Sequence, residues 1–296
     1  MQRERTAWWQ LPNLLSLDAP LVAVAWLWMF RRFYHVRYQD PSVYWLLFGA
    51  VWAIYVFDRL GDVRRNPSLQ RGRHHFHWRW RYVFLPLALL VALAIPVGAL
   101  FGLPVSMFWH GPLSLPETAS GWIYALMAHG PLVLMFTVLF FLVSRIAGES
   151  LEGQICKNAV AAFTFSLGTA MGAHYYTYES PIGMVVSFEA LGFAFLCFMN
   201  LNAIEFWERE EQQQGDIPRR EFMVSIPLLA MGFISLLAAT FGHEYHKPFH
   251  YSLLLASAGL IMLDHFRTRL SATLMRVLAD VVLILPLPVF WFWFKA

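Results

Sequence analysis

Charge is scarce in this chain. Asp, Glu, Lys and Arg make up 14% of its 296 residues, against 58% hydrophobic and 17% aromatic. No polar half remains from which a soluble domain could be built, and the mean hydropathy is positive, at +0.49. Cysteine is nearly absent: Cys156 and Cys197 lie far apart, at or within apolar stretches. That spacing excludes a disulfide framework or a cysteine-based metal motif, and both thiols read as small packing groups. There is no Gly-rich nucleotide loop and no Ser/His/Asp signature, and no nucleic-acid partner is expected. Six of the eleven histidines fall in two groups, His74-His75-Phe76-His77 and His243, His246, His250. Neither completes a His-Glu-x-x-His ligand motif, so both read as loop residues, the first among arginines suited to anionic headgroups or a diphosphate.

Apolar runs are what the chain has instead. A membrane-spanning helix needs about 20 predominantly apolar residues, and such runs recur along the whole length. Bounded by charges, Pro and Gly, they predict nine spans at 12–31, 42–59, 82–103, 121–144, 156–176, 182–204, 222–242, 251–265 and 273–294. The expectation is an all-α polytopic membrane protein, one domain over 1–296, with a retained first helix and no cleaved signal peptide. With the N-terminus cytoplasmic and the C-terminus outside, 17 of the 22 Lys and Arg fall on the inner side, and Arg31, Arg32, Arg37, Lys247 and Lys295 outside.

Two acidic clusters then share the cytoplasmic side. Asp58 and Asp62 end the second run, one helical turn apart, with Arg59, Arg64 and Arg65 beside them. Residues at i and i+4 share a helix face, so both carboxylates can address one cation while the arginines address an anion. Glu205 and Glu208 end the sixth run, with Asn202 before them and Arg209 after. Together the clusters could hold Mg²⁺ ions bridging a diphosphate; for the second, the alternative is a solvated helix end. Helix, carboxylates and basic loop recur four spans apart, as in a weak internal repeat. Lys157, at the mouth of the fifth run, suits either a phosphate oxygen or snorkelling to headgroups.

Nine spans with carboxylate motifs after the second and sixth resemble the UbiA-type intramembrane prenyltransferases. That family's first motif has the form Asn-Asp-x-x-Asp-x-x-x-Asp; Asp58 and Asp62 match its last two acids, while Ile54 and Tyr55 replace the opening pair. Glu205 and Glu208 stand where its second motif has aspartates. Lys157, followed by Phe165-Ser166-Leu167-Gly168, resembles the stretch opening the family's fifth helix, and Arg276-Val277-Leu278-Ala279-Asp280 is similar to a segment of a divergent bacterial branch.

The resemblance implies a UbiA-like bundle in a bacterial inner membrane. It implies transfer of a polyprenyl group from its diphosphate to a lipophilic or aromatic acceptor. Asp58, Asp62, Glu205 and Glu208 would be the catalytic and Mg²⁺-binding residues, and Arg59, Arg64, Arg65 and Lys157 would meet the diphosphate. Asn13, Asp18, Tyr55, Asn158 and Asn202 would line the pocket; for Asn13, Asp18 and Asn158 interhelical hydrogen bonding is an equal reading. Aromatic faces for an allylic cation could come from Tyr55, Phe163, Phe165 or Trp207. Two alternatives stand beside this: a relative with altered or lost catalysis, and a membrane transporter or lipid-binding protein, the latter disfavoured because the carboxylates lie at helix ends and not at a midplane break. Glu189 and Asp280, charged within apolar runs, are expected to face a bundle interior, Asp280 pairing with Arg276.

Overall fold

A computed structural model describes residues 8–65, 72–107, 118, 120–122, 128–147, 150–177, 179–213 and 221–294. Among them there is no strand. The helices are α1 Leu11–Leu14, α2 Asp18–Phe33, α3 Ser42–Arg65, α4 Gly72–Arg79, α5 Arg81–Gly102, α6 His129–Ile146, α7 Leu151–His174, α8 Pro181–Val185, α9 Phe188–Gln213, α10 Ile226–Phe241, α11 Lys247–Phe266, α12 Ala272–Ile284 and α13 Leu287–Trp293. A helical residue lies in each of the nine apolar runs read from the sequence. The hydrogen-bonding residues at their starts explain several boundaries. Ser150 accepts from the Gly153 amide at 3.1 Å ahead of α7, and Ser271 from the Leu274 amide at 3.3 Å ahead of α12. Each side chain thereby satisfies an amide that has no partner within its own helix.

Six helical stretches are long and apolar enough to cross a membrane: Ser42–Arg64, Arg81–Gly102, His129–Ile146, Phe188–Glu211, Glu221–Phe241 and Ala272–Trp293. A bent pair, Trp8–Leu14 and Asp18–Phe33, would make a seventh if counted as one span, although its halves meet at 80°. The apolar faces are bare where a soluble protein would cover them: Leu90, Leu93, Leu100 and Phe101 on α5, and Leu134 and Val138 on α6, are all exposed. Patches of that extent are unstable in water but ordinary against lipid. The helices are compatible with an integral membrane protein.

Two units of packing emerge, one from 1–24 and 40–103, the other from 25–39 and 104–296. In the first, α3 lies close along α5. A Cβ at Gly49 would stand 3.2 Å from Val91, and one at Gly98 would stand 3.1 Å from Leu46, so glycine permits the approach. Trp52, Ala53, Val56, Leu60, Phe84 and Ala88 form the core there, with Phe76 and Trp78 of α4 packed against it.

In the second unit α9 is the most enclosed of the apolar helices and packs against α7, α11 and α12. The Ser166 hydroxyl donates to the Ala190 carbonyl at 2.6 Å, tying α7 to α9. An aromatic cluster closes on the other side: Trp26 stacks on Phe193 at 4.0 Å, with Phe30 and Phe249 around them, and the Trp26 indole donates to the Leu283 carbonyl at 2.8 Å.

Candidate functional site

The first run, expected as one span, is broken between α1 and α2, and the break organises the polar residues of the first unit. Ser16 takes a positive φ of 59°, which turns the chain after α1. A helix end leaves carbonyls without intrahelical donors, and in an apolar setting these must find other partners. The Asn13 carbonyl accepts from the Ser16 amide at 3.2 Å and from Arg59 of α3 at 2.9 Å, and the Leu15 carbonyl accepts from Trp52 of α3 at 2.9 Å. Arg59 also donates to the Ser16 hydroxyl and faces Asp18 at 3.9 Å. Asp18 in turn accepts from the Asn13 amide group at 2.6 Å and from the Ala19 backbone at 3.0 Å. His77, fully buried on α4, lies 3.0 Å from the Ser16 hydroxyl.

Asn13, Asp18 and Arg59 are therefore brought together, but as a fastening of the helix break. Arg59, expected beside a diphosphate, is 3% exposed and committed to α1 and Asp18. Its guanidinium also stands 5.9 Å from the ring of Tyr55. Asp58 and Asp62 follow on the same helix, both half-buried, and Arg64 is exposed. The Arg65 side chain lies outside the described residues. His77, expected as a loop residue of an arginine-rich group, is instead a buried residue of helix α4, and Ser16 carried no signal, because the partner of each lies many residues away.

In the second unit, the Asn158 amide donates to Asn202 at 2.9 Å, joining α7 to α9 with two residues expected in one pocket. Lys157, one position earlier, is half-buried. Beyond Asn202 the glutamates are taken by arginines. Glu205 accepts from Arg209 at 2.6 Å, one turn on; Glu208 pairs with Arg276 of α12; Glu210 pairs with Arg267 at 3.2 Å. Glu211 accepts from the Ala272 amide at 3.2 Å, at the start of α12. Trp207 gives its indole proton to Asp264 at 2.9 Å, and Ser225 donates to the same carboxylate at 2.9 Å. Asp280 accepts from Asn200 at 3.5 Å. The arrangement fastens α9 to α11 and α12 by side chains that are far apart in sequence.

About 24 Å back along α9, at 1.5 Å per residue, a different polar group begins. Glu189, buried, sits 2.7 Å from His246. His129 and His174 meet at 3.0 Å, both buried, and the Tyr34 ring stands edge-on to His174 at 5.2 Å. Burial pushes the Tyr34 phenol well above its ordinary value, with the nearby Glu189 charge adding to it, and Tyr245 is raised for the same two reasons. Glu189 thus has a partner that sequence order could not supply.

Among the described residues no three His, Cys, Asp or Glu side chains gather into a group that could hold a metal ion. Asp58 and Asp62, expected as magnesium ligands, lie half-buried one turn apart on α3. Glu205 and Glu208 have arginine partners and suit a structural role. Among the described residues the protein is all-helical and compatible with a membrane, with a carboxylate pair at the end of one apolar helix, a buried ionic fastening in the first unit and a part-buried one in the second. No family model, curated protein or solved structure matches the chain.

Proposed function

We propose that this protein is an intramembrane prenyltransferase of the UbiA type, with all nine apolar segments crossing the membrane. It moves a polyprenyl group from its diphosphate to a lipophilic or aromatic acceptor at a membrane face. The observation that supports it is the Asp58 and Asp62 pair, half-buried and one helical turn apart at the end of the apolar helix α3. These two carboxylates would hold Mg²⁺, which would supply neutralisation of the diphosphate as it leaves. Arg64, exposed beside them, would take a phosphate oxygen. Arg59 acts here as a positioning residue, fixing the segment that precedes α2.

A second reading, a relative that binds the isoprenoid diphosphate without transferring it, is favoured by the pairing of Glu205 with Arg209 and of Glu208 with Arg276. One experiment separates the two. Purified protein is incubated with labelled geranylgeranyl diphosphate, Mg²⁺ and a pool of membrane lipids, and both bound and transferred label are measured. Transfer that falls in Asp58→Asn and Asp62→Asn supports the enzyme. Saturable binding without diphosphate release supports the second reading, and neither binding nor release overturns both.

A further inference from the structure

Between Asp62 and Glu117 the sequence holds no acidic residue, while Arg64, Arg65, Arg71, Arg73, Arg79 and Arg81 crowd the first part of that stretch. The contrast with the second unit is sharp, because there Arg209, Arg267 and Arg276 each have a glutamate. Among the described residues neither Arg79 nor Arg81 has a carboxylate partner. Positive charge left unneutralised at one place on an apolar protein calls for an anion from elsewhere.

The local structure says where that anion sits. Helix α4 is anchored to the core of the first unit: His77 meets Ser16, and the His77 and Phe76 rings lie 4.5 and 5.8 Å from that of Phe84. The turn from α4 into α5 is therefore held in place. Arg79 and Trp80 project from it exposed, and Tyr82 is 77% exposed. The Arg81 guanidinium lies 4.7 Å from the Trp78 ring and 4.5 Å from the Tyr82 ring, donating to the Trp78 carbonyl at 3.1 Å and the Tyr82 hydroxyl at 2.9 Å. A guanidinium has five N–H donors in a fixed plane, so donors remain for a phosphate oxygen while the rings fix its direction.

Immediately after, Val83, Leu85, Leu87, Leu89 and Leu90 of α5 are all exposed and apolar. Lipid hydrocarbon must begin there, and at 1.5 Å per residue Arg79 and Arg81 stand within about 6 Å of that level. Trp80 and Tyr82 are the residue types that settle between acyl chains and headgroups. We propose that the Trp78–Tyr82 turn is a binding surface for the headgroup phosphate of anionic phospholipid, with Arg79 and Arg81 as its charged contacts. A cytosolic anion would not require the surface to adjoin the hydrocarbon boundary; a phospholipid does.

The test uses the full chain in detergent, with native mass spectrometry reading the apparent affinity for phosphatidylglycerol and for phosphatidylcholine. Wild type is expected to prefer phosphatidylglycerol. Arg79→Gln should weaken that preference about fivefold, and Arg79→Gln with Arg81→Gln about 25-fold, with phosphatidylcholine binding unchanged. Arg81→Lys should recover only part, since it restores charge without the planar donors. Arg79 is exposed, so its single variant keeps the test valid if the double variant is unstable. Equal affinity for the two lipids, an unaltered preference in both variants, or full displacement by millimolar inorganic phosphate would each overturn the proposal, the last by making the site a general anion site.

Discussion

Arg59 donates a hydrogen bond across the break between α1 and α2, to the carbonyl of Asn13 at 2.9 Å. The same guanidinium serves Ser16 and faces Asp18, so one side chain satisfies the end of a helix and a buried carboxylate together. Removing one partner of a buried pair leaves the other charge uncompensated, which costs about 3 to 5 kcal/mol. Arg59→Met should therefore lose stability of that order in denaturant titrations in detergent. Adding Asp18→Asn should cost much less in that background than in wild type. Strictly additive losses would disprove the coupling.

The same logic ranks the glutamates of α9. Glu208, 30% exposed, meets an Arg276 side chain on another helix that is only 8% exposed, whereas Glu205 and Arg209 are 29% and 25% exposed and one turn apart. An exposed i, i+4 pair contributes about 0.3 to 0.5 kcal/mol. Glu208→Gln should thus destabilise the protein more than Glu205→Gln, and only the former should show strong coupling to an Arg276→Gln substitution. Metal ligation by Glu208 would instead make its loss sensitive to magnesium and indifferent to Arg276.

For Asp58 and Asp62 the expectation is on rate. A group that stabilises charge developing in a transition state is worth about 10² to 10³ in kcat. Under the proposed function, Asp58→Asn and Asp62→Asn should each lower prenyl transfer by that factor while leaving the melting temperature within a few degrees of wild type. Unchanged transfer in both would remove the pair from the site.

Asp40 gives a pH signature at the start of α3. Its carboxylate accepts from the Ser42 amide at 2.8 Å, and the backbone and side-chain hydrogen bonds of Ser42 hold it below the ordinary carboxylate value. A group depressed in the folded state contributes stability above its unfolded pKa and loses that contribution as pH falls through the folded one. The melting-temperature advantage of wild type over Asp40→Ala should be steady near neutrality and shrink on acidification below about pH 4. An advantage that grows on acidification would contradict the assignment.

Gly259 sits where α11 meets α12. A Cβ there would lie 2.7 Å from Val282 Cγ1 and 3.1 Å from Cγ2, closer than packed carbons allow. Gly259→Ala should cost about 1 to 3 kcal/mol through overpacking, and Val282→Ala should restore part of it. Thermal melts of the two single variants and the double variant decide this.

The apolar segments were legible because length and hydropathy are local properties, and helices such as α5 and α10 begin and end within a few residues of where charges, Pro and Gly placed them. The break in the first run was not. Asn13 and Asp18 stand out in the sequence as pocket-lining or interhelically hydrogen-bonded residues of one span, and the break between them does not, because the donor that makes it tolerable, Arg59, is 46 residues from Asn13. Charge pairing shows the same limit: Glu205 with Arg209 was readable at i, i+4, whereas Glu208 with Arg276 and Glu189 with His246 depend on packing between separate helices. The carboxylate pair of α3 was readable as a pattern, and its half-buried setting came only with the fold.

The fastening of α1 also imposes an order on synthesis. The carbonyls of Asn13 and Leu15 receive their protons from side chains of α3, at positions 59 and 52. Local backbone bonds close the end of α1 on their own, but until α3 has emerged the Leu15 carbonyl and the buried Asp18 lack their long-range partners. The segment around α1 thus takes its final place only after a later helix has arrived.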